Sequence, residues 1–113
     1  MNDIESNINE LFRLLRNRPA MLITGNLNSL ASYIVYFEGF IISFKLFNNL
    51  NIEREISRWY QNQVEIKSPN MYWFAQFKMD YNKLNEEEKI NLLLNLLSDF
   101  FNENISLFSQ KKE

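Results

Sequence analysis

The chain has 113 residues, a formal net charge of −2, and neither cysteine nor histidine. Its 46% hydrophobic and 23% charged residues exclude a disordered chain and predict one domain, 1–113, able to bury about two-thirds of its unfolded surface. The two missing residue types remove disulfides, thiolate nucleophiles, Cys-ligated metals and the commonest general base, while the acidic balance disfavours nucleic acid and suits a basic partner.

Ile4, Ile8, Leu11, Phe12 and Leu15 recur at helical spacing, so a first helix is expected, with Asp3 as its cap. Arg13, Arg16 and Arg18 fall in its last turn or just beyond, at the negative end of the helix dipole. They read as a solvated helix end, not as a phosphate site. Pro19 ends the helix, because the residue before a proline is pushed out of the α region. Met21-Leu22-Ile23 then reads as an apolar segment tucked under the fold and Thr24-Gly25-Asn26 as a turn, with Asn28 or Ser29 capping the next helix.

Residues 30–47 form the most apolar run and predict a buried central helix. At 100° per residue, Leu30, Tyr33, Ile34, Phe37, Phe40, Ile41, Phe44 and Phe47 share one broad face, and Val35, Ile42 and Leu46 form a second apolar patch. A helix so apolar is expected to be covered on several sides. Its length of about 27 Å approaches that of a membrane span. Ten strong apolar residues at about −0.3 to −0.6 kcal/mol each are offset by a central charge at about +2.5 to +3.5 kcal/mol and by Ser, Tyr and Gly. The sum is near zero, so a soluble core helix is expected and no membrane. Gly39 costs roughly 0.5–1 kcal/mol relative to Ala, so its expected use is a close backbone approach beside Ser32 and Ser43. Glu38 is expected to be a structural carboxylate held by Lys45 or by an arginine such as Arg18, since buried acids are normally paired.

Asn48-Asn49 closes this helix, and Asn51 caps a third one with Ile52, Ile56 and Trp59 on one side and Glu53 and Glu55 near its positive end. Residues 64–79 fit two patterns. Ser68-Pro69 followed by Trp73, Phe74, Phe77 and Tyr81 makes a helix start and stripe, whereas Met71, Trp73, Ala75, Phe77 and Met79 alternate like the second strand of a short hairpin. The helix is preferred because its neighbours are helical. Asn85 caps the last helix with Glu88 as the return arm of a capping box, and Ile90, Leu93, Leu94, Leu97, Phe100 and Phe101 form its buried stripe. The tail 109–113 is expected to fray. The expected fold is all-α, a single-domain bundle of about five helices around helix 30–47.

No metal-ligand spacing, nucleophile elbow or nucleotide loop is present, and no second acid shares the setting of Glu38, so neither an enzyme nor a cofactor is expected. Arg54, Arg58 and Lys67 beside Trp59 and Tyr60 are interleaved with Glu53, Glu55 and Glu65, which argues against nucleic acid. From Asp80 to Glu103 six acids stand against two lysines, a surplus suited to steering a basic protein. No charged segment followed by an apolar one opens the sequence, so the cytoplasm is the expected compartment.

Arg18-Pro19-Ala20-Met21 after a short helix, then Leu30, Phe37 and Glu38-Gly39-Phe40, a tryptophan, and a Glu-rich start leading into Leu92 to Phe101 together resemble one group of small proteins. These are the all-α bacterial immunity proteins encoded beside polymorphic or contact-dependent growth-inhibition toxins. The family often shows Arg-Pro-Gly-Met-Tyr, an acid with Gly-Tyr in the second helix, and an acidic last helix rich in Leu and Phe. Here Ala20 stands for the Gly, Leu22 for the first Tyr and Phe40 for the second. The resemblance spans Arg18 to Phe101 and implies a protein that neutralises one cognate toxin, without catalytic residues of its own, by covering its active site. On that implication an acidic, aromatic-studded surface meets a basic toxin domain, with Glu53, Glu55, Tyr60, Glu65, Tyr72, Glu86, Glu87 and Asp99 as candidate contacts. Arg18, Pro19, Glu38 and Gly39 are expected to be structural. The alternative is a non-catalytic helical module that self-associates, through the Val35, Ile42 and Leu46 patch; the sequence leaves the oligomeric state open.

Overall fold

The computed structural model describes residues 3–64 and 71–108. They form an all-α, single-domain bundle of α1 (Asp3–Asn17), α2 (Leu30–Asn48), α3 (Ile52–Gln63), α4 (Trp73–Asp80), α5 (Glu86–Glu103) and a short α6 (Ile105–Phe108). Among the described residues there is no strand.

The last long helix carries the clearest sequence signals and organises the core. Asn85 Oδ1 accepts from the Glu88 amide at 2.8 Å while Glu88 Oε1 accepts from the Asn85 amide at 3.0 Å, which closes the expected capping box. The whole stripe from Ile90 to Phe101 is buried as its spacing requires. α1 packs on α5 through Phe12 and Leu15, both 1% exposed. Arg16 Nη2 donates to Asn95 Oδ1 at 2.8 Å and clips the end of one helix to the side of the other. The Phe12 ring lies 6.0 Å from both Phe37 and Phe101, so one aromatic side chain joins α1, α2 and α5.

Pro19 ends α1, and Pro19–Met21 wind one 3-10 turn. The amides of Leu22 and Ile23 both donate to Pro19 O, at 3.0 and 2.8 Å. This turn buries Ile23 and packs the half-buried Leu22 against the core, as expected, whereas Met21 of the same segment is exposed. Arg18 serves through its backbone, donating to Leu14 O at 2.7 Å and accepting from the Met21 amide at 3.0 Å. Gly25, at φ 97, makes the following turn in a region where a side chain would be strained.

α2 occupies the expected place but is covered on one side. Leu30, Tyr33, Ile34, Phe37 and Ile41 are buried against α1, α3 and α5, and Phe40 and Phe44 are half-buried. Val35, Ile42, Leu46 and Phe47 are 68%, 58%, 75% and 85% exposed. Apolar periodicity says which side chains avoid water, not how many neighbours the chain can supply. The eight-residue α4 packs on α3 and leaves the outward face of α2 bare. By length and composition α2 also meets the requirement for a membrane span.

The two structural residues expected on α2 need correction. A Cβ at Gly39 would meet nothing within 4 Å, so no backbone approaches it inside the bundle. Glu38 is half-buried but forms no ion pair with Lys45 or Arg18 among the described residues. At the C-terminus Asn49 adopts φ 55 and returns its amide to Lys45 O at 3.0 Å, the left-handed closure that Asn tolerates.

α3 is capped by Asn51, whose side chain accepts from the Arg54 amide at 3.2 Å. It buries Ile52, Ile56 and Tyr60, not Trp59. Trp59 sits at the rim, edge-on to Phe100 at 5.7 Å, with its indole N–H donated to Glu103 at 3.1 Å. Within the ambiguous segment 64–79, the described part from Trp73 to Met79 is helical and belongs to α4: Trp73, Phe74, Gln76 and Phe77 are inside, while Ala75 and Met79 of the alternating pattern are exposed. Gln61 donates its amide to the buried Gln76 Oε1. The expected Ser68-Pro69 start lies outside the described residues, as does the tail 109–113. α6, which the sequence did not announce, lays Phe108 edge-on to Phe44 and against Phe101, both at 5.2 Å.

Candidate functional site

Three elements bring charged and aromatic side chains together at one edge of the bundle. Glu53 stands in the first turn of α3, held in place by the Asn51 cap; Tyr72 precedes α4; Glu38 lies on the flank of α2. The Tyr72 ring tilts against Phe74 at 5.6 Å and keeps 38% of its surface exposed. Burial of its hydroxyl, then the negative charges of Glu38 and Glu53, push its pKa up to about 12. Those two charges therefore converge on one phenol.

Neither acid has a cationic partner among the described residues, a state they share with Glu5, Glu87 and Asp99. The ion pairs among the described residues join Glu10 to Arg13 at 2.5 Å, Glu55 to Arg58 at 3.8 Å and Glu86 to Lys89 at 3.6 Å. Glu38 and Glu53 take part in none of them. Two half-buried carboxylates beside a phenol attract a cation more strongly than fully hydrated acids do, because the local dielectric is lower. Among the described residues no group of three or more acids is placed to hold a metal ion.

The other candidate contacts are dispersed or internal. Tyr60 is 1% exposed and donates its hydroxyl to Asp80 Oδ2 at 2.6 Å, so it is a core residue and not a surface contact. Glu55 lies on the opposite flank of α3 from Glu53, since two residues turn a helix by about 200°. Glu86 Oε1 accepts the Leu30 amide at 3.0 Å and so works at the start of α2. Glu87 lines a cleft of about 560 Å³ with Arg16, Asn28 and Asn91. Asp99 is exposed on the outer face of α5. Glu65 lies outside the described residues. Glu53 and Tyr72 are thus brought together, and Glu38, expected to be structural, completes their edge.

Sequence reasoning found the second apolar patch of α2 without its exposure. Val35, Ile42 and Leu46 make an exposed apolar display beside the Glu38 flank, and Phe47 is exposed further round the helix. Behind them a groove of about 300 Å³ runs between α1, α2 and α6, lined by Ile4, Ile8, Leu11, Phe40, Phe44 and Phe108.

No protein-family model, curated protein or solved structure matches the chain.

Proposed function

We propose that this chain is a non-catalytic immunity protein that binds one cognate bacterial toxin in the cytoplasm and covers its active site. The observation that carries the reading is the edge formed by Glu38, Glu53 and Tyr72. The charges of Glu38 and Glu53, which have no cationic partner among the described residues, both act on the partly exposed Tyr72 phenol, while Glu55 and Glu86 pair with a basic residue of their own helices. Such an edge suits a lysine or arginine of a basic toxin domain, and Tyr72 supplies the kind of aromatic anchor that dominates binding energy at interfaces. The Arg18-Pro19-Ala20-Met21 motif and the capped, acidic start of α5 agree with the resemblance to immunity proteins. In this reading nucleic acid and membrane are not partners.

The reading expects a toxin domain in the neighbouring reading frame, and co-expression with that domain tests the proposal. The wild-type protein is expected to restore growth. Glu53→Lys is expected to slow association about tenfold or more at low salt, and Tyr72→Ala to speed dissociation by a similar factor. Full protection and unchanged association rates in the Glu38→Lys, Glu53→Lys double variant would remove this edge from the interface.

A further inference from the structure

We propose that the outward face of α2 is closed by the same face of a second copy of this chain, the two helices running antiparallel across a twofold axis level with Ile41 and Ile42. The face is built for a helix. Val35, Gly39, Ile42 and Leu46 recur at spacings of four, three and four, and so form one straight ridge pointing away from the bundle. Val35, Ile42 and Leu46 on this ridge are all more than half exposed, and Phe47, also exposed, lies about 100° further round the helix.

Charge selects a second copy as the occupant. Glu38 and Lys45 are the charged residues of α2, and they lie on the same flank of the ridge, seven residues apart. In an antiparallel twofold pair like flanks meet. With the axis level with Ile41 and Ile42, Glu38 faces Lys45 of the second copy and Lys45 faces its Glu38. The pattern is complementary to itself, which is what an isologous interface requires. A lipid surface lacks this match, because one glutamate and one lysine cancel and no cluster of basic residues flanks the ridge. The same register places Ile42 and Leu46 of the second copy on either side of Gly39. A Cβ at Gly39 would meet nothing within 4 Å in the single chain, so its missing side chain gains a use as the gap these two residues enter. The twofold also leaves both Glu53 and Tyr72 edges on one side of the pair. The pairing is read from α2 alone and its test uses no other protein; in the pair Lys45 of the second copy neutralises Glu38, which leaves Glu53 and Tyr72 to carry the edge.

Sedimentation equilibrium of the full chain, without any other protein, tests it. The wild type is expected to dimerise reversibly. Glu38→Lys and Lys45→Glu should each weaken the dimer about tenfold, since each removes two symmetry-related pairs and creates two like-charge contacts, and the double variant should recover to within about threefold of wild type. Gly39→Leu should give a folded monomer with unchanged helical circular dichroism. A wild type that stays monomeric at its highest soluble concentration overturns the proposal. So does a charge swap that fails to recover, or a Gly39→Leu protein that still dimerises. Monomeric binding of the wild type to phosphatidylcholine and phosphatidylglycerol vesicles, abolished by Leu46→Asp, would overturn it in favour of a bilayer.

Discussion

Glu86, the first residue of α5, holds the first residue of α2: its Oε1 accepts the Leu30 amide at 3.0 Å across 56 positions of sequence. Ser29 occupies the cap position of α2 but makes no side-chain cap bond, so the carboxylate from α5 takes over that task and adds a favourable charge at the positive end of the helix. Glu86→Ala is expected to cost about 1 kcal/mol in urea unfolding, and Glu86→Gln less, since the amide oxygen still accepts. If Glu86→Ala left stability unchanged and altered toxin association instead, Glu86 would return to the binding surface.

Gly39 offers a gain in place of a loss. It lies mid-helix and exposed, with open space where a Cβ would go. Gly39→Ala should stabilise the dilute monomer by roughly 0.5–1 kcal/mol, through helix propensity and a less flexible unfolded chain. Thermal melts at low protein concentration measure this directly; a destabilised variant would mean that something packs there.

Tyr60 links the core to alkaline stability. Burial first, then the hydrogen bond and charge of Asp80, raise the pKa of its hydroxyl. In the unfolded chain that group ionises near about pH 10, so above this the unfolded state releases its proton first. Stability is therefore complete below about pH 10 and falls as pH rises beyond it. Tyr60→Phe should cost about 1–2 kcal/mol at neutral pH by removing the bond to Asp80, and should make the alkaline loss shallower. Tyr33, Tyr36 and Tyr72 are also pushed up, so some slope remains. Urea midpoints between about pH 7 and 11 give both quantities.

Phe108 gives α6 a measurable role. Its half-buried ring contacts Phe44 and Phe101, so Phe108→Ala should cost about 1–2 kcal/mol, less than a fully buried phenylalanine. A loss near zero would show that α6 adds nothing to the core.

Much of the fold was legible because the signals were local. The Asn85–Glu88 box, the Asn51 cap, the Asn49 closure and the stripe from Ile90 to Phe101 each lie within a few residues. The exchange of Trp59 for Tyr60 was not legible: both follow Ile56 at helical spacing, and the choice rests on Phe100, Glu103 and Asp80, which arrive from other helices. α2 posed the same problem on a larger scale. Two apolar faces were visible, but which one the bundle covers depends on where α1, α3 and α5 dock. The candidate site was legible only as a set of acids and aromatics. Glu53 and Tyr72 meet through the fold, and Glu38 stands with them, forming no ion pair with Lys45 or Arg18 among the described residues.

The packing of Phe12 against both Phe37 and Phe101 has a temporal side. While the chain is being synthesised, α1 can engage α2 early, but its other aromatic neighbour leaves the ribosome only with α5. Phe12 and Leu15 therefore wait for α5, and a product truncated before Phe101 keeps an open apolar flank along α1. Synthesis of α5 becomes the step that licenses a finished surface, so ribosome stalling in the α5 region should yield aggregates and not a smaller working protein.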